Sequence, residues 1–163
     1  MRKATRRTVW VPVLDPMEHA KWQASKLSPA EWNEQVIPVQ VALDQLLIGN
    51  WNKLEVWNPI FHALNRIESM LKLFHRPDYG FVEQMQGVIS AALDREEKTG
   101  AKAFKHDEIA ALRELVSTYG DLLREVSHRQ FKMTCAHTDA NVARILKAKK
   151  GIQKKAHCLM ESA

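Results

Sequence analysis

Ile109, Leu112, Val116, Tyr119, Leu123 and Val126 recur at alternating steps of three and four residues. That spacing gathers all six on one side of an α-helix and scatters them over both faces of a β-strand. Three more stripes share the period: Trp32, Val36, Val39, Leu43, Leu46 and Leu47; then Leu54, Trp57, Phe61, Leu64, Ile67, Leu71 and Phe74; then Val82, Met85, Ile89, Ala92 and Leu93. Each needs a partner to cover its apolar face, and the connections between them are short. The expected fold is therefore all-α, an antiparallel four-helix bundle. A chain of 163 residues suits a single domain with its own core.

Local signals set the expected boundaries. Ser28-Pro29-Ala30-Glu31 reads as a capping box with Pro at the first helical position, so a helix begins there. Gly49-Asn50 ends it, and Pro38 is expected to kink it, since the apolar stripe continues on both sides. His75–Gly80 reads as a loop, and Lys98-Thr99-Gly100 as a helix end. Asp107 is the expected cap of a last, long helix that runs past residue 140, bent near Gly120 or at a change of phase around Arg129. A short helix is expected from Met17 to about Lys26. Before it, Pro12 and Pro16 bracket apolar residues in an extended arm. The organisation expected is thus an arm over 1–16, a helical domain over 17–143 and a basic C-terminal extension over 144–163.

The net charge of +5 is unevenly distributed. Arg2, Lys3, Arg6 and Arg7 fall in the first 12 residues with no acid among them. Arg144, Lys147, Lys149, Lys150, Lys154 and Lys155 fall in residues 144–160, again without an acid, while residues 13–143 hold 14 basic and 18 acidic groups. Basic ends on a mildly acidic body fit a polyanionic partner, with nucleic acid the commonest, although terminal Lys and Arg also serve solubility. Two cysteines, Cys135 and Cys158, make neither a disulfide framework nor a four-thiolate zinc site. The apolar run Val9–Leu14 is short and holds a proline, and no stretch approaches the ~20 apolar residues of a membrane span. A cytoplasmic protein without membrane association is expected.

No constellation meets the requirements of catalysis. Glu125-x-x-His128 has the spacing found in carboxylate-bridged di-metal bundles, but a second copy is missing, and a solvated helix face explains it. His128, Cys135 and His137 do not converge on a metal from one helix, and Cys135 lacks a visible cleft or an orienting third group. No Gly-rich phosphate loop occurs. Enzymatic activity, cofactor and metal are therefore not expected. Trp10, Trp51 and Trp57 are candidates for an exposed aromatic surface that takes a protein partner, the alternative being core anchors. A helix-turn-helix with Gly151 as its turn matches poorly, because lysines occupy the positions that should pack.

Met1-Arg2-Lys3 with Arg6-Arg7, the Pro12–Pro16 arm, Trp57 with Leu64-Asn65 and Glu68-Ser69-Met70, Thr99-Gly100, and Leu112-Arg113 with Tyr119 and Ser127 carry a resemblance. On these residues the chain resembles a group of small basic helical proteins of proteobacterial genomes, prophages and plasmids, some labelled transcriptional regulators. The resemblance implies a bacterial or mobile-element origin and a non-enzymatic role. The expected function is a binding protein that meets nucleic acid or a nucleoprotein complex through its basic ends. The alternative is a protein-interaction module, an inhibitor or adaptor, acting through an acidic and aromatic helical surface.

Overall fold

The computed structural model describes residues 15–74 and 79–161, with the side chains of all of these except residues 53, 54, 79 and 149–161. The expected arm up to Leu14, with Trp10 and the cations Arg2, Lys3, Arg6 and Arg7, lies outside the described residues. Among the described residues the chain is all-helical. It forms α1 (Pro16–Ala24), α2 (Pro29–Leu47), a π-helical turn (Lys53–Trp57), α3 (Asn58–Phe74), α4 (Tyr79–Thr99), α5 (His106–Glu125) and α6 (His128–Glu161). A single antiparallel bridge joins Lys26 to Ser127.

The local grammar of α2 is as expected. The Ser28 hydroxyl accepts from the Glu31 N–H at 3.3 Å, and Glu31 accepts from the Ser28 N–H at 2.9 Å. The helix continues through Pro38. It ends where Gly49, at φ +88°, lets its own N–H reach the Leu46 carbonyl and that of Asn50 reach Gln45, so two orphan carbonyls are satisfied. Gly100, at φ +70°, follows the end of α4 in the same left-handed region.

The expected last helix is two helices: its cap is not Asp107, and in place of a bend it has a break, close to the change of phase expected around Arg129 and not at Gly120. The start is His106, and the side chain at work there is Glu108, which accepts from the Lys105 N–H at 2.8 Å. The helix is not bent at Gly120. It stops at Glu125, Val126 turns to extended backbone, and Ser127 caps α6. Ser127 and Gln130 form a second reciprocal cap, with the Ser127 N–H donating to Gln130 Oε1 at 2.9 Å and the Gln130 N–H donating to Ser127 Oγ at 3.3 Å. Gly120 instead permits a close approach between helices. The Trp32 indole lies against it, Nε1 donating to the Gly120 carbonyl at 2.8 Å, and a Cβ at that position would stand 3.0 Å from Trp32 Cζ2.

Residue pairings give the directions. α2 runs antiparallel to α5, with Trp32 against Gly120, and antiparallel to α3, with Gln35 bonded to Arg66. α4 and α5 form a hairpin closed by the ion pair Arg95–Glu108, whose carboxylate is almost wholly buried. α6 runs parallel to α3, since Arg66 faces Phe131 and Ser69 bonds Thr138 further along both helices. α1 buries no residue of its own and rests on the start of α6.

Two of the tryptophans proposed as an exposed surface are core residues. Trp51 is 3% exposed and Trp57 is fully buried. They meet at 5.4 Å in a T-shaped pair, with Phe104 at 4.7 Å from Trp51 and Phe61 stacked on Trp57 at 5.7 Å. The π-helical turn brings them together: Trp51 precedes it and Trp57 ends it, so the two indoles seal one end of the helix packing. The Trp51 Nε1 donates to the Leu46 carbonyl at 3.1 Å, whereas Trp57 Nε1 has no hydrogen-bond partner among the described residues.

Candidate nucleic-acid interface

The 34 residues of α6 span roughly 50 Å at the rise of an α-helix, the longest element described. Eight of them are basic and two acidic. One side packs on α3 through Phe131, Thr134, Cys135 and Thr138. The opposite side, stepping by three and four residues, carries Arg129, Lys132, Ala136, Ala140, Ala143 and Lys147, all exposed. Lys150 and Lys154 continue that spacing in the sequence. Cations at both ends of a row of methyl groups make a face that a phosphate backbone can approach closely without long side chains in between.

At the upstream end of this face stands an aromatic residue that was not among those singled out. Trp22 is 43% exposed, is stacked on the His128 ring at 4.6 Å, and has the Lys132 ammonium 5.9 Å above it. An exposed indole beside a lysine is the pairing that single-stranded nucleic acid uses for base stacking. Its signal in the sequence was a negative one. Trp22 belongs to a nine-residue helix with no apolar stripe, which leaves it no core to enter.

Arg144 and Lys147, expected to bind nucleic acid, are exposed on α6. Arg144 Nη2 donates to Asn141 Oδ1 at 3.3 Å and lines a small polar cleft with Lys72, Ser69 and Thr138. Lys149, Lys150, Lys154 and Lys155 lie on the same helix, which passes through Gly151 without the turn that a helix-turn-helix would need. The N-terminal cations lie outside the described residues.

His128 organises the junction of α1, α2 and α6. Its Nδ1 is 2.9 Å from the Ser25 carbonyl and 3.1 Å from Ser25 Oγ, and its Nε2 is 3.0 Å from Glu31. Glu125 is exposed at the end of α5 while His128 is buried at the start of α6, so the single solvated helix face expected for this pair is corrected. Ser25, His128 and Glu31 are in the order of a hydrolase triad, but the chemistry does not follow. A carbonyl only accepts, so Nδ1 donates to it and has no lone pair for the serine proton, which is directed at the Trp22 carbonyl at 2.7 Å. The node fastens α1 to the body.

Glu31 serves both this node and the α2 cap. The Ser28 hydroxyl and N–H, and after them His128, hold its carboxyl down at about 2. A carboxylate depressed in the folded state contributes stability above its ordinary value of 4.5, and loses it as pH falls through the folded value. The thermal midpoint of Glu31→Gln, measured by circular dichroism, is therefore expected to lie below that of the parent at neutral pH. The gap should close between pH 4.5 and about 2. A constant gap over that window would remove Glu31 from its assigned role.

The remaining candidates for chemistry are structural. Ser69 Oγ is 3.0 Å from His137 Nδ1, but Ser69 is 2% exposed and bonded to Thr138 at 2.8 Å. Burial pushes the Cys135 thiol up, the reverse of what a nucleophile needs. Among the described residues no three His, Cys, Asp or Glu gather as metal ligands, and no helix is long and apolar enough to cross a membrane. Comparison with protein-family models, with curated proteins and with solved structures finds no match to this chain.

Proposed function

We propose that this is a non-enzymatic nucleic-acid-binding protein, gripping the phosphate backbone along α6 without reading sequence. The observation that carries the reading is the exposed face from Trp22 and Arg129 to Lys147. On this reading α2, α3, α4 and α5 act as a four-helix bundle whose task is to hold α6 by one side and leave the other free. Arg2, Lys3, Arg6 and Arg7 add a second basic segment, and Lys149, Lys150, Lys154 and Lys155 extend the first. A regulator of mobile-element type, as the resemblance implies, would work in this way, coating or bending nucleic acid and not selecting an operator.

Gel-shift titration with unrelated sequences at low salt tests the proposal. Binding indifferent to sequence and steeply weakened by salt is expected, and no shift at low salt with DNA or RNA would end it. Trp22→Ala should weaken single-stranded binding by about tenfold to hundredfold, the usual effect of losing one stacking platform. Duplex binding should change far less.

A protein-interaction module remains a second reading, on a surface other than the one expected. Ile37 and Val41 on α2, and Ile48 just past its end, are 48%, 51% and 76% exposed, flanked by exposed Glu34 and Asp44. Recovery of a stoichiometric partner that Val41→Lys abolishes, with nucleic-acid binding unchanged, would favour it.

A further inference from the structure

Arg66 stands on α3 where α2, α5 and α6 meet. It is half-buried, yet no carboxylate comes within ion-pairing distance of it among the described residues, and Asp139 acts on it only through its field. A guanidinium offers five N–H donors in one plane. Nη1 directs both of its hydrogens to protein acceptors, Gln35 Oε1 at 2.7 Å and Tyr119 Oη at 2.9 Å. The Phe131 ring lies 5.6 Å from Cζ. Side chains of three helices thus set the plane of the group. Nε and Nη2 bond no group among the described residues, and neither is sealed away, since Trp57 Nε1 is the buried nitrogen without a partner. What stays open is the paired-hydrogen edge that meets an oxyanion bidentately.

Arg66 lines a groove of about 310 Å³ between α2 and α3, with Tyr119 in its wall. Two features of this groove select among oxyanions. Pro38 and Pro59 supply apolar walls that suit an organic body. Glu34, exposed and also lining the groove, opposes a second negative charge and so disfavours a phosphate dianion. We infer that this groove binds a small organic monocarboxylate, its acid group on the free edge of Arg66 and its apolar body between Pro38 and Pro59. The site is separate from the basic face of α6 and does not depend on the nucleic-acid reading.

The probes are benzoate and, in a parallel arm, inorganic phosphate, titrated into the full chain and followed by NMR at the Arg66 Nε–H and the Tyr119 amide. Benzoate is expected to shift both signals saturably and to bind more tightly than phosphate. Arg66→Gln should weaken benzoate by about tenfold to hundredfold, the effect of losing a charge-assisted bond. Because that variant also removes the bonds to Gln35 and Tyr119, a second one guards against simple unfolding. Glu34→Gln, at an exposed position, should tighten benzoate about two- to fivefold by removing a like charge. No saturable shift in tens of millimolar benzoate, tighter binding of phosphate, or an affinity unmoved by Glu34→Gln would each overturn the inference.

Discussion

Replacing Arg129, Lys132, Lys147, Lys150 and Lys154 together by Gln is expected to lower nucleic-acid affinity on the order of a thousandfold at low salt. Each cation that neutralises a phosphate releases counterions, so each one lost should make the slope of log K against log salt shallower by about 0.9 on duplex DNA, or about 0.7 on a single strand. Five such contacts add up to about four units of slope. Filter binding across a salt series reads affinity and slope together. The fold should hardly notice, because Arg129, Lys132 and Lys147 are exposed, and substitutions of that kind stay within about 0.5 kcal/mol. A variant that keeps its slope would move the binding surface off α6. The N-terminal cations would then be the next to replace.

The largest effect on stability is expected at Trp57. This indole is fully buried among Trp51, Phe61 and Phe104, and truncation to Ala leaves a cavity at the end of the helix packing. The cost should be about 3–5 kcal/mol, a fall in Tm of roughly 10 °C for a chain of this size. Trp57→Phe should behave quite differently. It removes some volume, but it also removes an indole N–H that is buried without an acceptor, and such a donor costs about 1–3 kcal/mol in desolvation. The two changes oppose each other, so a net loss under about 1.5 kcal/mol is expected. Urea unfolding of the two variants separates the contributions. Equal losses would mean that Trp57 Nε1 finds a partner after all, such as the face of a neighbouring ring.

The candidate interface was legible in part. Arg144 and Lys147, which the charge count singled out, are exposed on α6, while Arg129 and Lys132 were hidden in the net charge of an acidic body. They join the basic row only once α6 is known to start at His128 and to turn its other side to α3. The tryptophans went the opposite way. An indole can serve as anchor or as platform, and only the neighbours decide: Trp51 and Trp57 flank a turn that folds them inward, while Trp22 sits on a helix that buries no residue and stacks on His128 at the surface.

What the four stripes of three- and four-residue period and the local caps determined by themselves was the helical character of the described residues, with α2 starting after the Ser28 cap and ending before Gly49. These are local matters, in which a hydroxyl three residues from a carboxylate or a glycine at positive φ decides the geometry. The break between α5 and α6 was also written locally, in Ser127 and Gln130, and showed as a change of phase around Arg129, but the apolar residues that resume past it read as one bent helix. Tertiary packing decided the rest. The parallel seating of α6 on α3, the open edge of Arg66 and the joining of His128 to Ser25 and Glu31 across about a hundred residues of chain all depend on which faces meet. Periodicity shows that a helix has an apolar face. It carries no information about which other helix will cover that face, because apolar burial is non-directional.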